Sequence, residues 1–294
     1  VTISDANGCQ SISTVSITQP TALTSTIPAA TINCFGGTTS ATVTAAGGTA
    51  AYTYLWNPSG QATATATGLS AGTTYTVSVT DSKGCTSTST VLPTQPALLT
   101  SNIPVATINC FGGTTSATVT AAGGTAAYTY LWNPSGQVTA TATGLSAGTT
   151  YTVTITDNKG CTSTSTVLPT QPVAITLSTT PTDATCGSSN GSVSVTANGG
   201  TGAYSYNWSA SGATSQTVNG LSAAAYTVTV SDANGCTSSA AAIIGNTSGG
   251  VANTTIQANA SCNGATDGSA SASMTGGNPN YTYLWSNSAT TQTA

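Results

Sequence analysis

Gly68-Leu69-Ser70-Ala71-Gly72-Thr73-Thr74-Tyr75-Thr76-Val77-Ser78-Val79 decides the fold. Side chains alternate across a strand, so Tyr75, Val77 and Val79 share one face and Thr76 and Ser78 the other. The Leu-x-x-Gly-x-x-Tyr approach reads as a tyrosine corner, in which the Tyr hydroxyl ties back to upstream backbone. Upstream, Tyr52-Thr53-Tyr54-Leu55-Trp56 is a second alternating run, preceded by Ser40 to Ala45 and the turn Gly47-Gly48. Downstream, Asp81-Ser82-Lys83-Gly84-Cys85 is a tight turn. Its Asp caps through the side chain and its Gly supplies positive φ. A Thr/Ser-rich strand then leads to Pro93-Thr94-Gln95-Pro96. Short β-branched runs separated by Gly-rich turns, with no 3.6-residue period, predict an all-β chain. About seven such strands predict a sandwich of the immunoglobulin or fibronectin-III type.

The same pattern recurs. Cys9, Cys85, Cys161 and Cys236 stand about 76 residues apart, as do Cys34, Cys110, Cys186 and Cys262, and Trp56, Trp132, Trp208 and Trp285. A fixed period means a tandem array. Residues 24–96 and 100–172 differ only at Thr26/Asn102, Ala29/Val105, Ala62/Val138, Ser78/Thr154, Val79/Ile155 and Ser82/Asn158. The expected organisation is the end of one repeat at 1–20, repeats at 21–96, 97–172 and 173–249, and the start of another at 250–294. The third copy carries Asn207 where the first has Leu55, while Tyr204, Tyr206 and Trp208 persist. The Leu55 face is therefore expected to meet solvent, and the aromatic face to fill the core.

Composition narrows the function. Only 3% of residues are charged, there is no His, and Lys and Arg together number 2. The usual general bases and metal-binding imidazoles are missing, so no enzyme and no cofactor is expected. A net charge of -4 gives no electrostatic grip on nucleic acid. Eight regularly spaced cysteines without C-x-x-C pairs read as a disulfide framework and an oxidising compartment. If strand alternation puts both cysteines of a repeat at one end of the sandwich, the expected bonds are Cys34–Cys85, Cys110–Cys161 and Cys186–Cys236. Each would close a ring of about 51 residues and contribute about 4 kcal/mol.

Other candidate residues have structural readings. Trp56, Trp132, Trp208 and Trp285, with Tyr75, Tyr151 and Tyr226, are expected in the core rather than on a sugar-stacking platform. Asp5, Asp81, Asp157 and Asp232 recur at one turn. Calcium needs several carboxylates, so each lone Asp is read as a turn cap, with no metal site.

The combination Cys-x-Gly-Gly, Gly-Gly-Thr-x-x-Tyr-x-Tyr-x-Trp and Gly-Leu-Ser-Ala-Gly-x-x-Tyr-Thr-Val-x-Val-x-Asp-x-x-Gly-Cys-Thr resembles the SprB-type repeat of giant cell-surface adhesins. Cys34, Gly47, Gly48, Tyr52, Tyr54, Trp56, Leu69, Gly72, Tyr75, Asp81, Gly84 and Cys85 carry the likeness. The resemblance implies type IX secretion, display outside the outer membrane through an anchoring machinery there, and a role in attachment or gliding. The leading expectation is a stiff extracellular spacer whose partners are further repeats of the same long chain. Two alternatives stand beside it: a module binding a polysaccharide or a surface, and a fibre subunit interlocking with other copies by strand addition. Val1 opens inside a strand and Ala294 falls within a repeat, so the sequence is expected to be a window onto a longer chain. Cys9 and Cys262 then lack partners within it.

Overall fold

The computed structural model describes residues 1–209, 211–277 and 279–294. Strands are its only regular elements among those residues. A hairpin of β1 (Thr2–Ser4) and β2 (Gln10–Ile12) comes first. The first repeat follows, as β3 (Thr24–Thr26), β4 (Thr39–Thr42), β5 (Thr44–Ala46), β6 (Thr53–Asn57), β7 (Thr65–Leu69), β8 (Tyr75–Thr80) and β9 (Thr86–Val91).

These strands form two layers. β6, β8 and β9 make one antiparallel sheet in the order β6-β8-β9. β4 and β5 are one strand bent at Val43. β5 pairs with β3, and β4 pairs with β7. In the third repeat the corresponding strand, Gly191–Asn198, is unbroken and pairs with neighbours on both sides. Counting β4 and β5 as one, the first, second and fourth strands lie in one layer and the third, fifth and sixth in the other, which are strands A, B, E and C, F, G of an immunoglobulin-like sandwich. The fold is therefore the all-β tandem sandwich that the strand pattern predicts.

The core lies between the layers. Trp56, Val77 and Val79 from one sheet meet Ala41, Val43, Ala66 and Leu69 from the other, with Tyr75 at the base. Trp56 is 0% exposed and Leu55 57%. Alternation along β6 sends the indole inward and the leucine out. Trp132 and Trp208 fill the same place in their repeats. In the fourth repeat Val251–Ala258 pairs with Ser269–Thr275. Trp285, expected in the core, is only half-buried.

The chain forms two compact units. One comprises Val1–Ala106, Ser116–Leu145 and Thr149–Leu168. The other comprises Thr107–Thr115, Ser146–Gly148 and Pro169–Ala294. The division cuts across the sequence repeats: the loop carrying Cys110 sits in the second unit, while most of its repeat sits in the first.

Candidate functional site: the joint between repeats

Each repeat has two chemically distinct ends. At one, Asp81 organises two turns. Its Oδ1 accepts from the N–H groups of Lys83 and Cys85, both at 2.9 Å, and its Oδ2 accepts from Thr49 N–H at 2.8 Å. Donation from Thr49, with that from Cys85 and Lys83, holds the carboxyl below the usual carboxylate range against the opposing effect of burial. Asp157 and Asp232 repeat the arrangement. For these two, burial is the largest single effect and pushes upward, yet the backbone donors together outweigh it and the carboxyls are again lowered. Asp5 accepts from Asn7 and Cys9 N–H in its own turn but is exposed. Gly48 sits at φ +64°, where a Cβ would lie 2.7 Å from Asp81 Oδ2. The turn needs glycine both for its backbone and for this contact.

The other end carries the first cysteine. Ile32 N–H donates to Thr94 O, Thr94 N–H to Ala30 O, and Gly36 N–H to the Gln95 side-chain oxygen at 2.8 Å. These bonds fix the Cys34 loop beside the segment that leaves β9. Gln171 binds Gly112 N–H in the same way, and Asn246 binds Gly187 N–H. Gln95 and Gln171, each followed by proline, thus anchor the cysteine loops of their repeats, a role that spacing alone does not reveal. The tyrosine corner is nearby: Ser70 N–H donates to the Tyr75 hydroxyl at 3.1 Å, and in the third repeat Tyr226 donates to Ser222 O.

Cys34 and Cys85 therefore lie at opposite ends of the sandwich, and the pairing expected within repeats is corrected. About nine residues of mostly extended chain separate Cys85 from Thr94, or roughly 30 Å. A disulfide needs Cα atoms within about 7 Å. The bonds formed are Cys34–Cys161, with Cα atoms 5.6 Å apart, and Cys110–Cys236, at 5.5 Å. Cys34–Cys85, Cys110–Cys161 and Cys186–Cys236 do not form; Cys85 and Cys186 are free and exposed, as are Cys9 and Cys262. The reason is one chain reversal that the strand pattern conceals. After β6, Gly60 N–H returns to Trp56 O, Trp56 N–H donates to Gln61 O, and the indole N–H donates to Thr63 O. The chain doubles back along the sandwich before β7 begins. That extra reversal flips the end at which every later turn falls.

The rule of pairing is the same at both joints: the first cysteine of one repeat bonds to the second cysteine of the next. The first bond lies wholly within one compact unit and the second wholly within the other. At the second, Asn234 Nδ2 also donates to Asn109 O at 3.2 Å. A hollow of about 400 Å³ beside that bond is lined by Phe111, Val173, Asp232 and Cys236 among others. Among the described residues no group of three or more His, Cys, Asp or Glu side chains could hold a metal ion.

Sandwich repeats, each bonded by a disulfide to the next, define a tandem immunoglobulin-like array. The family model for the SprB repeat matches residues 29–61, 104–137, 178–213 and 254–290, and the chain is a SprB-type repeat region. No curated protein is similar enough to the chain to match it. Similar solved structures include the N-terminal eight Ig domains of Down Syndrome Cell Adhesion Molecule isoform 1.30.30, at 14% identity and a TM-score of 0.31. That match covers 76% of this chain and only 36% of the other. Titin domains I67–I69, in an E-to-A mutated variant, match at 12% identity and a TM-score of 0.32, covering 76% of this chain and 98% of that one. The fold assignment rests on strand order, not on these likenesses.

Proposed function

We propose that the chain is a spacer segment of a secreted, surface-displayed adhesin filament, holding an adhesive part of the same polypeptide away from the cell. The observation that carries this reading is the joint. Two successive joints are built alike, from a cysteine loop anchored by Gln95 or Gln171 and a turn anchored by Asp157 or Asp232. Fixing one repeat to the next serves reach and stiffness; it serves no chemistry. The SprB repeat matches and the oxidised cysteines favour the outside of the cell. Attachment, gliding and type IX export belong to this proposal.

An antibody raised against the chain tests the display. It is expected to stain intact producing cells. Staining that appears only after the cells are permeabilised rejects an external spacer. Beads coated with the chain test the rival binding module. They are expected to hold no more polysaccharide than bare beads, and saturable binding to one polysaccharide would replace the spacer reading with the binding one.

A further inference from the structure

The two disulfides close rings that overlap. Residues 110–161 belong to both, because Cys110 lies inside the ring closed by Cys34 and Cys161, and Cys161 lies inside the ring closed by Cys110 and Cys236. Rings side by side would add little beyond local stability. Interlocked rings change how the chain carries a pull.

A force applied to the two ends can draw the molecule out no further than its shortest covalent path. That path runs from Val1 to Cys34, crosses to Cys161, returns along the backbone to Cys110, crosses to Cys236 and continues to Ala294. It contains about 142 residues, or about 500 Å at full extension, against about 1,000 Å for the open chain. Half the polypeptide is thus withheld from extension even when every sandwich is pulled apart.

We infer that the joint disulfides make this array a tether whose lengthening under tension is held to about half that of the open chain, however many repeats unfold. The device follows from the pairing rule and strengthens with repetition. Where each first cysteine bonds to the second cysteine of the next repeat, the shortest path leaves a second cysteine, reaches the next first cysteine and crosses again. From Cys161 to Cys186 that step is about 25 residues, and it advances the path by two repeats for about 85 Å of extended backbone. Much of the step is already straight: Thr162–Val167 and Thr176–Thr182 are strands. The attachments are firm on both sides of each bond. The Cys34 loop is held by Thr94 and Gln95, and the Cys161 turn by Asp157. The inference depends on the spacer reading only for its purpose; the ring topology is a property of the chain itself.

Force spectroscopy on the full 294-residue chain, gripped at Val1 and Ala294, tests it. Cys9, Cys85, Cys186 and Cys262 are first replaced by Ser, which leaves both joints intact and prevents exchange. The oxidised chain is expected to draw out to about 500 Å. Dithiothreitol gives two electrons and two protons to each bond and is itself oxidised to a cyclic disulfide; after it, the length is expected to double. Adding Cys110→Ser and Cys236→Ser leaves one ring and an expected length of about 600 Å before reduction. An oxidised length near 850 Å in the four-Ser variant overturns the inference, because only Cys110–Cys161 pairing inside a repeat gives it. A length near 1,000 Å before reduction overturns it as well. Peptide mapping of the unaltered, unreduced chain is the second measurement, independent of how the variants fold. It is expected to find Cys34 joined to Cys161 and Cys110 joined to Cys236; any other partner for Cys34 defeats the proposal. Failure here leaves surface display standing, and failure of surface staining leaves the ring topology standing.

Discussion

Asp81 joins two segments that are about thirty residues apart in sequence. One carboxylate oxygen closes the turn before β9, and the other holds Thr49 in the turn after β5. Its replacement by Ala leaves those N–H groups without their acceptor and is expected to lower the melting temperature of the first repeat more than an Asp5→Ala change lowers it. The direction of the pH effect follows from the lowered carboxyls of Asp81, Asp157 and Asp232. A carboxyl whose folded pKa lies below its unfolded value, about 3.9, stabilises fully above that value. Its contribution fades as pH falls from there through the folded pKa. Thermal melts are therefore expected to be flat from neutral pH down to about 4.5 and to drop in more acid solution; a melting temperature that rises on acidification would contradict this origin. Gly48→Ala places a methyl group against the Asp81 carboxylate at an unfavourable φ and is expected to cost about 1–3 kcal/mol. The sequence shows the Asp and the Gly-Gly pair plainly, but their contact spans a gap that local turn chemistry does not bridge.

Along β6, neighbouring residues have opposite fates. Trp56 is sealed between the sheets and Leu55 faces water. Chemical denaturation of a single-site series is expected to show a loss of about 3–5 kcal/mol for Trp56→Ala and under about 0.5 kcal/mol for Leu55→Ser. Similar losses for both would mean that the strand's outer face is covered. This alternation was legible because copies within one chain can be compared: Asn207 at the position of Leu55 marks the wet face. The reversal after β6 was not legible. It occupies residues 57–64, too short and too polar to register as a strand, and it is held by Trp56 backbone and indole bonds rather than by a ladder. One uncounted turn was enough to misplace the cysteines, since the end at which a loop falls depends on the number of reversals before it.

Across the whole molecule, the period gave the repeats and the strand pattern gave the sandwich, whereas the partner of each cysteine depended on which end of the sandwich it occupies. Alkylation of the unfolded but unreduced chain is expected to mark Cys9, Cys85, Cys186 and Cys262 and to spare the other four. Cys34→Ser is expected to add Cys161 to the marked set and, in the chain-entropy model, to remove about 5 kcal/mol of stabilisation, the value for a ring of roughly 127 residues. Labelling of Cys34 in the unaltered chain would rule out the first joint. The overlapping rings also bear on injury. From Cys34 to Cys236 every peptide bond lies within at least one ring, so a single hydrolysed bond there opens a loop and severs nothing. The two lysines, Lys83 and Lys159, both fall in this span. Trypsin acting at both sites is expected to leave one species on a non-reducing gel and three fragments once thiol is added. Such a chain survives nicks that would cut an ordinary string of domains in two.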